Sequence, residues 1–260
     1  FCIDKAITVR SVNGPEVTFI KGASSGGGLG PAAIRCAYLT NGAQLIGFTL
    51  TNGYTQLDGA GLVNQCGGGA FLNGGGTISS CIVVSCSADT GGGIAVWPGK
   101  GTVTSCSILT NWAEFVGGGV MVRVNAKATI TDCTISENTS DMGGGLCNDG
   151  DTLVQNCTIE NNEQYSGGSF GGGLLNSQGN LLVVNSTVSG NRAANIGGGL
   201  CDLATSFLLN TIMINNTAGS SGDDIHCDCI SGTYGYYSWY YGVDGTVLGQ
   251  ANAPNVTDAY

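Results

Sequence analysis

The chain has 260 residues, of which 8 are basic and 18 acidic, and its net charge of −10 gives a field that repels nucleic acid and anionic membrane surfaces. A hydrophobic content of 42% supplies a core and argues against disorder, and 46 glycines without an every-third-residue period exclude a collagen triple helix. Twelve cysteines, none in a C-x-x-C pair of zinc-finger spacing, point to an oxidising compartment and hence to a secreted or cell-surface protein.

No apolar run reaches the roughly 20 residues that span a bilayer. The chain opens Phe1-Cys2-Ile3-Asp4, without Met or a signal peptide, which reads as a processed or partial product lacking its N-terminal cap. From there a period governs the sequence. Triple glycines stand at Gly67-Gly69, Gly91-Gly93, Gly117-Gly119, Gly143-Gly145, Gly171-Gly173 and Gly197-Gly199, separated by 24, 26, 26, 28 and 26 residues. An apolar triplet follows each, as in Val120-Met121-Val122, and reads as a short strand with its first residue buried. Midway through each coil a second strand is expected, where Ile130-x-x-Cys133-x-Ile135 repeats the pattern around Cys81, Cys106 and Cys157. Five residues beyond that slot stand Asn111, Asn138, Asn162, Asn191 and Asn216, with Cys86 in an earlier coil. The expectation is a structural ladder of stacked amides with asparagine in the left-handed turn, above a stack of small core cysteines. Gly costs about 1 kcal/mol relative to Ala inside a helix, and a propeller blade needs about 40 residues. The predicted class is therefore all-β: a right-handed parallel β-helix over residues 1–230, each coil holding two or three strands, followed by an aromatic-rich cap or assembly segment over 231–260.

Strand alternation sends the second residue of each triplet outward, which stacks Cys2, Tyr38, Phe71, Ala95, Met121, Cys147, Leu175, Cys201 and His226 into one apolar stripe. Such a stripe is either a partner surface or is covered by a loop or a further segment. Cys147 and Cys201 lie two coils apart, too far for a disulfide, leaving Cys2, Cys227 and Cys229 to tie ends down or link molecules. Tyr236, Tyr237, Trp239, Tyr240 and Tyr241 crowd the terminal segment, where aromatic rings serve a cap, an end-to-end contact or sugar stacking.

The repeat Cys133-Thr134-Ile135-Ser136-Glu137-Asn138, followed by Gly143-Gly144-Gly145-Leu146, resembles the pectin-lyase-like β-helix superfamily, and most of all its bacterial surface proteins with polymorphic outer-membrane repeats. Ile7–Thr18 and Leu45–Gly53 resemble the first coils of such proteins. The resemblance implies a fold rather than an activity. Its pectinases use a calcium cluster of carboxylates with an Arg or Lys base, or three aspartates with His and Arg-x-Lys. This sequence offers only Gly222-Asp223-Asp224-Ile225-His226, and its glycine–aspartate stretch fits the triple-glycine slot of a last coil. Asp149-Gly150-Asp151 holds too few oxygens for calcium and reads as a polar turn. The basic residues are scattered, without a groove for an anionic sugar. The leading expectation is a non-catalytic extracellular structural or adhesive protein without cofactor or metal. Its partner is then another copy, stacked head to tail into filaments, or a cell surface or polysaccharide. The rival is a carbohydrate-active enzyme or polysaccharide-binding module using Asp223, Asp224 and His226.

Overall fold

The computed structural model describes residues 1–57, 61–167 and 169–227, together with the backbone of two strands, Trp239–Tyr241 and Val247–Gln250. One coil illustrates the rest. After Gly117–Gly119 the strand Val120–Val122 joins a nine-stranded sheet, Ala126–Thr131 a ten-stranded one, Thr134–Ser136 an eight-stranded one and Thr139–Met142 a six-stranded one. The chain then arrives at Gly143 directly beneath Gly117, and Gly117 N–H donates to the Met142 carbonyl. Through Ile225–Cys227 every strand pairing is parallel, with one coil's residue over the next coil's equivalent, as in Val120 over Leu146 and Ile130 over Val154. This is a parallel β-solenoid, and its only described helix is the single turn Leu62–Gln65.

The four strands per coil revise the two or three expected. Ile130-x-x-Cys133-x-Ile135 is not one strand: Asp132 turns the chain at φ 55°, so Ile130 and Ile135 belong to different sheets and Cys133 sits on the corner. Equivalent left-handed residues precede the other corner cysteines, at Ser80, Ser105 and Asn156. A second left-handed residue follows five positions later at Ser85, Thr110, Glu137 and Asn161. The ladder asparagines come one residue after these, so the left-handed strain falls on the residue before each asparagine rather than on the asparagine itself. For Thr110 and Glu137 that costs about 1–2 kcal/mol each, which the buried amide behind them must offset.

The three glycines of a coil are needed for three different reasons. Gly117 turns at φ 67°. A Cβ on Gly118 would lie 2.5 Å from the Gly144 carbonyl oxygen, and one on Gly119 would lie 2.6 Å from that of Gly145 and 2.9 Å from Asn138 Nδ2. The glycine wall therefore stands directly against both the next coil and the amide ladder.

All three residues of each post-glycine triplet are buried, not the first alone. Val120 and Val122 face the central core with Ile130, Cys133 and Ile135, whereas Met121 points the other way. The outward stripe exists, but it is covered. Phe71 and Ala95 pack with Cys66 under Tyr38 and Trp97, and Met121, Cys147, Leu175 and Cys201 lie under Val116, Met142, Phe170, Ile196 and Leu203. Phe71, Met121 and Leu175 accordingly do not present an apolar partner surface. Segments leading into each glycine triplet, such as Trp112–Val116 and Thr139–Met142, fold back over the stripe because the burial of each large apolar side chain is favourable by about 1.5–3 kcal/mol. Cys2 is exposed, and Tyr38 is half-buried with its ring edge-on to Phe71 at 5.8 Å.

Of the aromatic segment expected over 231–260, Tyr236 and Tyr237 lie outside the described residues, as does Cys229. Trp239–Tyr241 continues the ten-stranded sheet in parallel with Thr205–Leu209, and Val247–Gln250 pairs with it in antiparallel fashion.

The glycine wall predicts that Gly119→Ala, which forces either Asn138 or the Gly145 carbonyl to move, destabilises the fold by about 1–3 kcal/mol. Equilibrium denaturation checks this. An unchanged midpoint would contradict the contact.

Candidate functional site

The asparagine ladder is the most elaborate polar constellation in the described residues. Asn138 is fully buried. Its Nδ2 donates to Asn162 Oδ1 at 3.0 Å and to the Ile108 carbonyl at 2.9 Å, while its Oδ1 accepts from Asn111 Nδ2 at 3.0 Å and from Asn111 N–H at 2.9 Å. Two donors and two lone pairs are thus all satisfied, and one amide ties together three coils. Asn162 and Asn191 repeat the arrangement. At the upper end Cys86 N–H donates to Asn111 Oδ1 at 3.0 Å.

At the lower end the ladder meets the only string that offered catalytic chemistry. Ile225 pairs with Leu200, so Asp224 occupies the slot of the third glycine, as the register in the sequence implies. Among the described residues Asn216 has no further asparagine to donate to. Asp224 takes that place: its Oδ1 accepts from Asn216 Nδ2 at 2.8 Å and from Asn216 N–H at 3.2 Å. Asp223 turns elsewhere, its Oδ1 accepting from Ala218 N–H at 2.7 Å, and His226 Nδ1 lies 3.2 Å from Ser221 Oγ. The three residues are close in sequence, yet their polar atoms are directed to three different backbone or side-chain partners.

Two cavities of about 340 and 380 Å³ open elsewhere. The first is lined by Arg35, Tyr38, Tyr54 and Gln56 and the second by Lys127, Asp149, Asp151 and Gln178. None of Asp223, Asp224 and His226 lines either. In the second, burial raises the Asp149 carboxyl above its usual range, whereas Asn180 and then Lys127, 3.1 Å away, hold that of Asp151 below it. The two aspartates of the turn therefore have separate environments. Among the described residues no three His, Cys, Asp or Glu side chains converge on a point where a metal ion could sit.

The corner cysteines succeed one another from coil to coil. Cys81 N–H points to Cys106 Sγ and Cys106 N–H to Cys133 Sγ, each at 3.5 Å, and Cys157 N–H donates to Ser186 Oγ at 3.1 Å. A hydrogen bond with Cys106, reinforced by burial, pushes the Cys133 thiol up to about 12, and Cys157 is raised by its bond to Cys133 and by burial. Burial likewise raises Cys81. Protonated, buried sulfur of this kind fills space and is a poor nucleophile.

Two features escaped the sequence reading. The third triplet position changes from Leu72, Val96 and Val122 to Asn148, Asn176 and Asp202, and these buried groups form a second ladder. Asn148 Nδ2 donates to Asn176 Oδ1 at 2.8 Å, and Asn176 Nδ2 to Asp202 Oδ1 at 2.9 Å. Strand alternation already turns this third position inward, but the sequence reading followed only the first two positions of each triplet. The second is a pairing of cations read as scattered. Arg35 and Arg123 both lie beside the buried Cys66 thiol, which burial nonetheless pushes up to about 11, and their guanidinium groups cover Phe71 at 5.3 Å and Trp97 at 5.9 Å. Only the three-dimensional coil register brings them together.

Among the family models, one described as a right-handed β-helix region matches residues 38–218. No curated protein and no solved structure matches the chain.

Replacing Asn138 by Ala leaves two donors of Asn111 without their acceptor and takes one donor each from the Ile108 carbonyl and Asn162 Oδ1, which predicts a loss of about 3 kcal/mol or more. Asp224→Ala strips acceptors from Asn216 alone and is expected to cost about 1–3 kcal/mol. Denaturation of both variants checks the order, which a catalytic rather than structural role for Asp224 does not require.

Proposed function

The chain belongs to the right-handed β-helix family, and from that premise we propose that it is a non-catalytic structural or adhesive solenoid that works outside the cell and associates with copies of itself. The observation that carries this reading is the position of Asp224. Its carboxylate terminates a buried ladder, so the best acid or base candidate in the sequence already has a structural task. The density of cysteine supports an oxidising location. Self-association is supported by the outward side chains of Phe207 and Leu209 on the ten-stranded sheet and of Ile212 and Ile214 on the eight-stranded sheet, which are exposed on adjacent walls. A second copy is the occupant proposed for that patch.

The rival reading assigns polysaccharide cleavage or binding to Asp223, Asp224 and His226. Incubation with uronic-acid and neutral polysaccharides separates the two. No new reducing or unsaturated ends are expected from the wild-type chain. Depolymerisation that disappears in Asp223→Asn or Asp224→Asn, at unchanged melting temperature, would overturn the proposal in favour of the enzyme. For the assembly part, concentrated protein viewed by negative stain is expected to show rods joined end to end or side by side. Isolated monomers at high concentration sink that part.

A further inference from the structure

Cys36 and Cys86 sit where the regular pattern of glycine wall and ladder breaks. Ala37 pairs with Ala70, so Cys36 occupies the slot that Gly69 fills in the next coil, the third-glycine slot of the regular coils. Tyr54 pairs with Ser87, so Gly53 stands over Cys86 in the rung slot. In the regular coils this slot pair is glycine against asparagine, and a Cβ on the glycine would come within 2.8–3.0 Å of the amide Nδ2. Here the two coils exchange the arrangement: Cys36 faces Gly53, and Gly69 faces Cys86. A Cβ on Gly53 would lie 2.8 Å from Cys36 Sγ, and one on Gly69 3.4 Å from Cys86 Sγ. The two thiols therefore lie along one diagonal of a four-residue square whose other diagonal is left open by two glycines.

Their sulfur atoms converge on one strand, Thr49–Thr51, and its approach: Cys36 Sγ donates to the Thr51 carbonyl at 3.2 Å and Cys86 Sγ to that of Leu50 at 3.6 Å. The neighbouring Cys86 thiol lowers the pKa of Cys36, whereas burial, and then the neighbouring Cys36 thiol, raises that of Cys86. Both are thiols in this structure. The corner stack differs in geometry. Cys81, Cys106, Cys133 and Cys157 occupy one slot on successive coils, so their Cα–Cβ bonds run parallel instead of toward one another, and a disulfide between them would need backbone movement. Cys36 and Cys86 instead approach from opposing walls.

We propose that Cys36 and Cys86 are joined by a disulfide when the chain folds in the presence of a low-molecular-weight disulfide such as oxidised glutathione. The Cys36 thiolate attacks one sulfur of the reagent, forming a mixed disulfide and expelling one small thiolate. Cys86, giving up its proton, then displaces the second small thiolate from Cys36. One reagent S–S bond is broken and one protein S–S bond formed, and the two protons and two electrons leave with two molecules of small thiol. Both cysteines are buried in the finished fold, so the exchange precedes closure of the coil.

The test uses the full chain, refolded with reduced and oxidised glutathione and recovered as folded protein. It is then denatured, alkylated without reduction, digested and mapped by mass spectrometry. The expected result is a peptide pair joining Cys36 to Cys86, with Cys81, Cys106, Cys133 and Cys157 alkylated. Reduction is expected to lower the melting temperature by roughly 5–10 °C, a shift that Cys36→Ser and Cys86→Ser both abolish. Full alkylation of Cys36 and Cys86 in the folded, oxidant-treated wild type overturns the proposal. So does linkage of either to any other cysteine.

Discussion

A buried primary amide has two donors and two lone pairs, and in a dry core each must find a partner or cost about 1–3 kcal/mol. The rest of this solenoid is arranged around that requirement. Asn111, Asn138, Asn162 and Asn191 meet it by stacking, and stacking works only if every coil returns its asparagine to the same place. The left-handed residue ahead of each rung, the glycine wall opposite and the parallel register all serve that return. A ladder of this kind also needs ends. Asp224 supplies one by reaching from a glycine slot, and at the other end a cysteine replaces asparagine while Cys36 reaches from the same wall.

Shared register also explains why chemistry is hard to place on the molecule. A side chain that points inward is committed to the next coil, and one that points outward from the nine-stranded sheet is covered by the returning segment. Asp224 illustrates the first constraint, its carboxylate being taken up by Asn216, while its neighbours Asp223 and His226 are directed away from it, to Ala218 and Ser221. Arg35 and Arg123 illustrate the second: two cations from different coils come to share one covered groove beside Cys66.

Much of this was legible before any coordinates. Triple glycines at a near-constant interval define the coil, and identical residue types at identical offsets define the parallel register, because only stacked equivalents select for sameness at one slot. The number of walls was not legible. Ser105 and Glu137 carry no mark of a left-handed turn, as neither is glycine, asparagine or aspartate, so two strands joined by a corner read as one. Whether the stripe through Phe71, Met121 and Leu175 was covered also lay beyond the period. Coverage depends on segments whose lengths vary from coil to coil. The site reading had the same limit, for a string such as Asp223-Asp224-Ile225-His226 shows which groups are present but not where each points.

The uneven intervals between glycine triplets have a meaning of their own. From corner cysteine to rung the count is fixed, Cys106 to Asn111 as Cys133 to Asn138, whereas the stretch from rung to glycine lengthens between Asn162 and Gly171. The coil thus has a spine of constant length from corner to rung and a seam of variable length from rung to glycine. Lineages of this sequence can accumulate insertions on the seam without disturbing coil rise. New surface loops would then be hung at a pitch of about 4.8 Å per coil, set by the spine and not by the loops themselves.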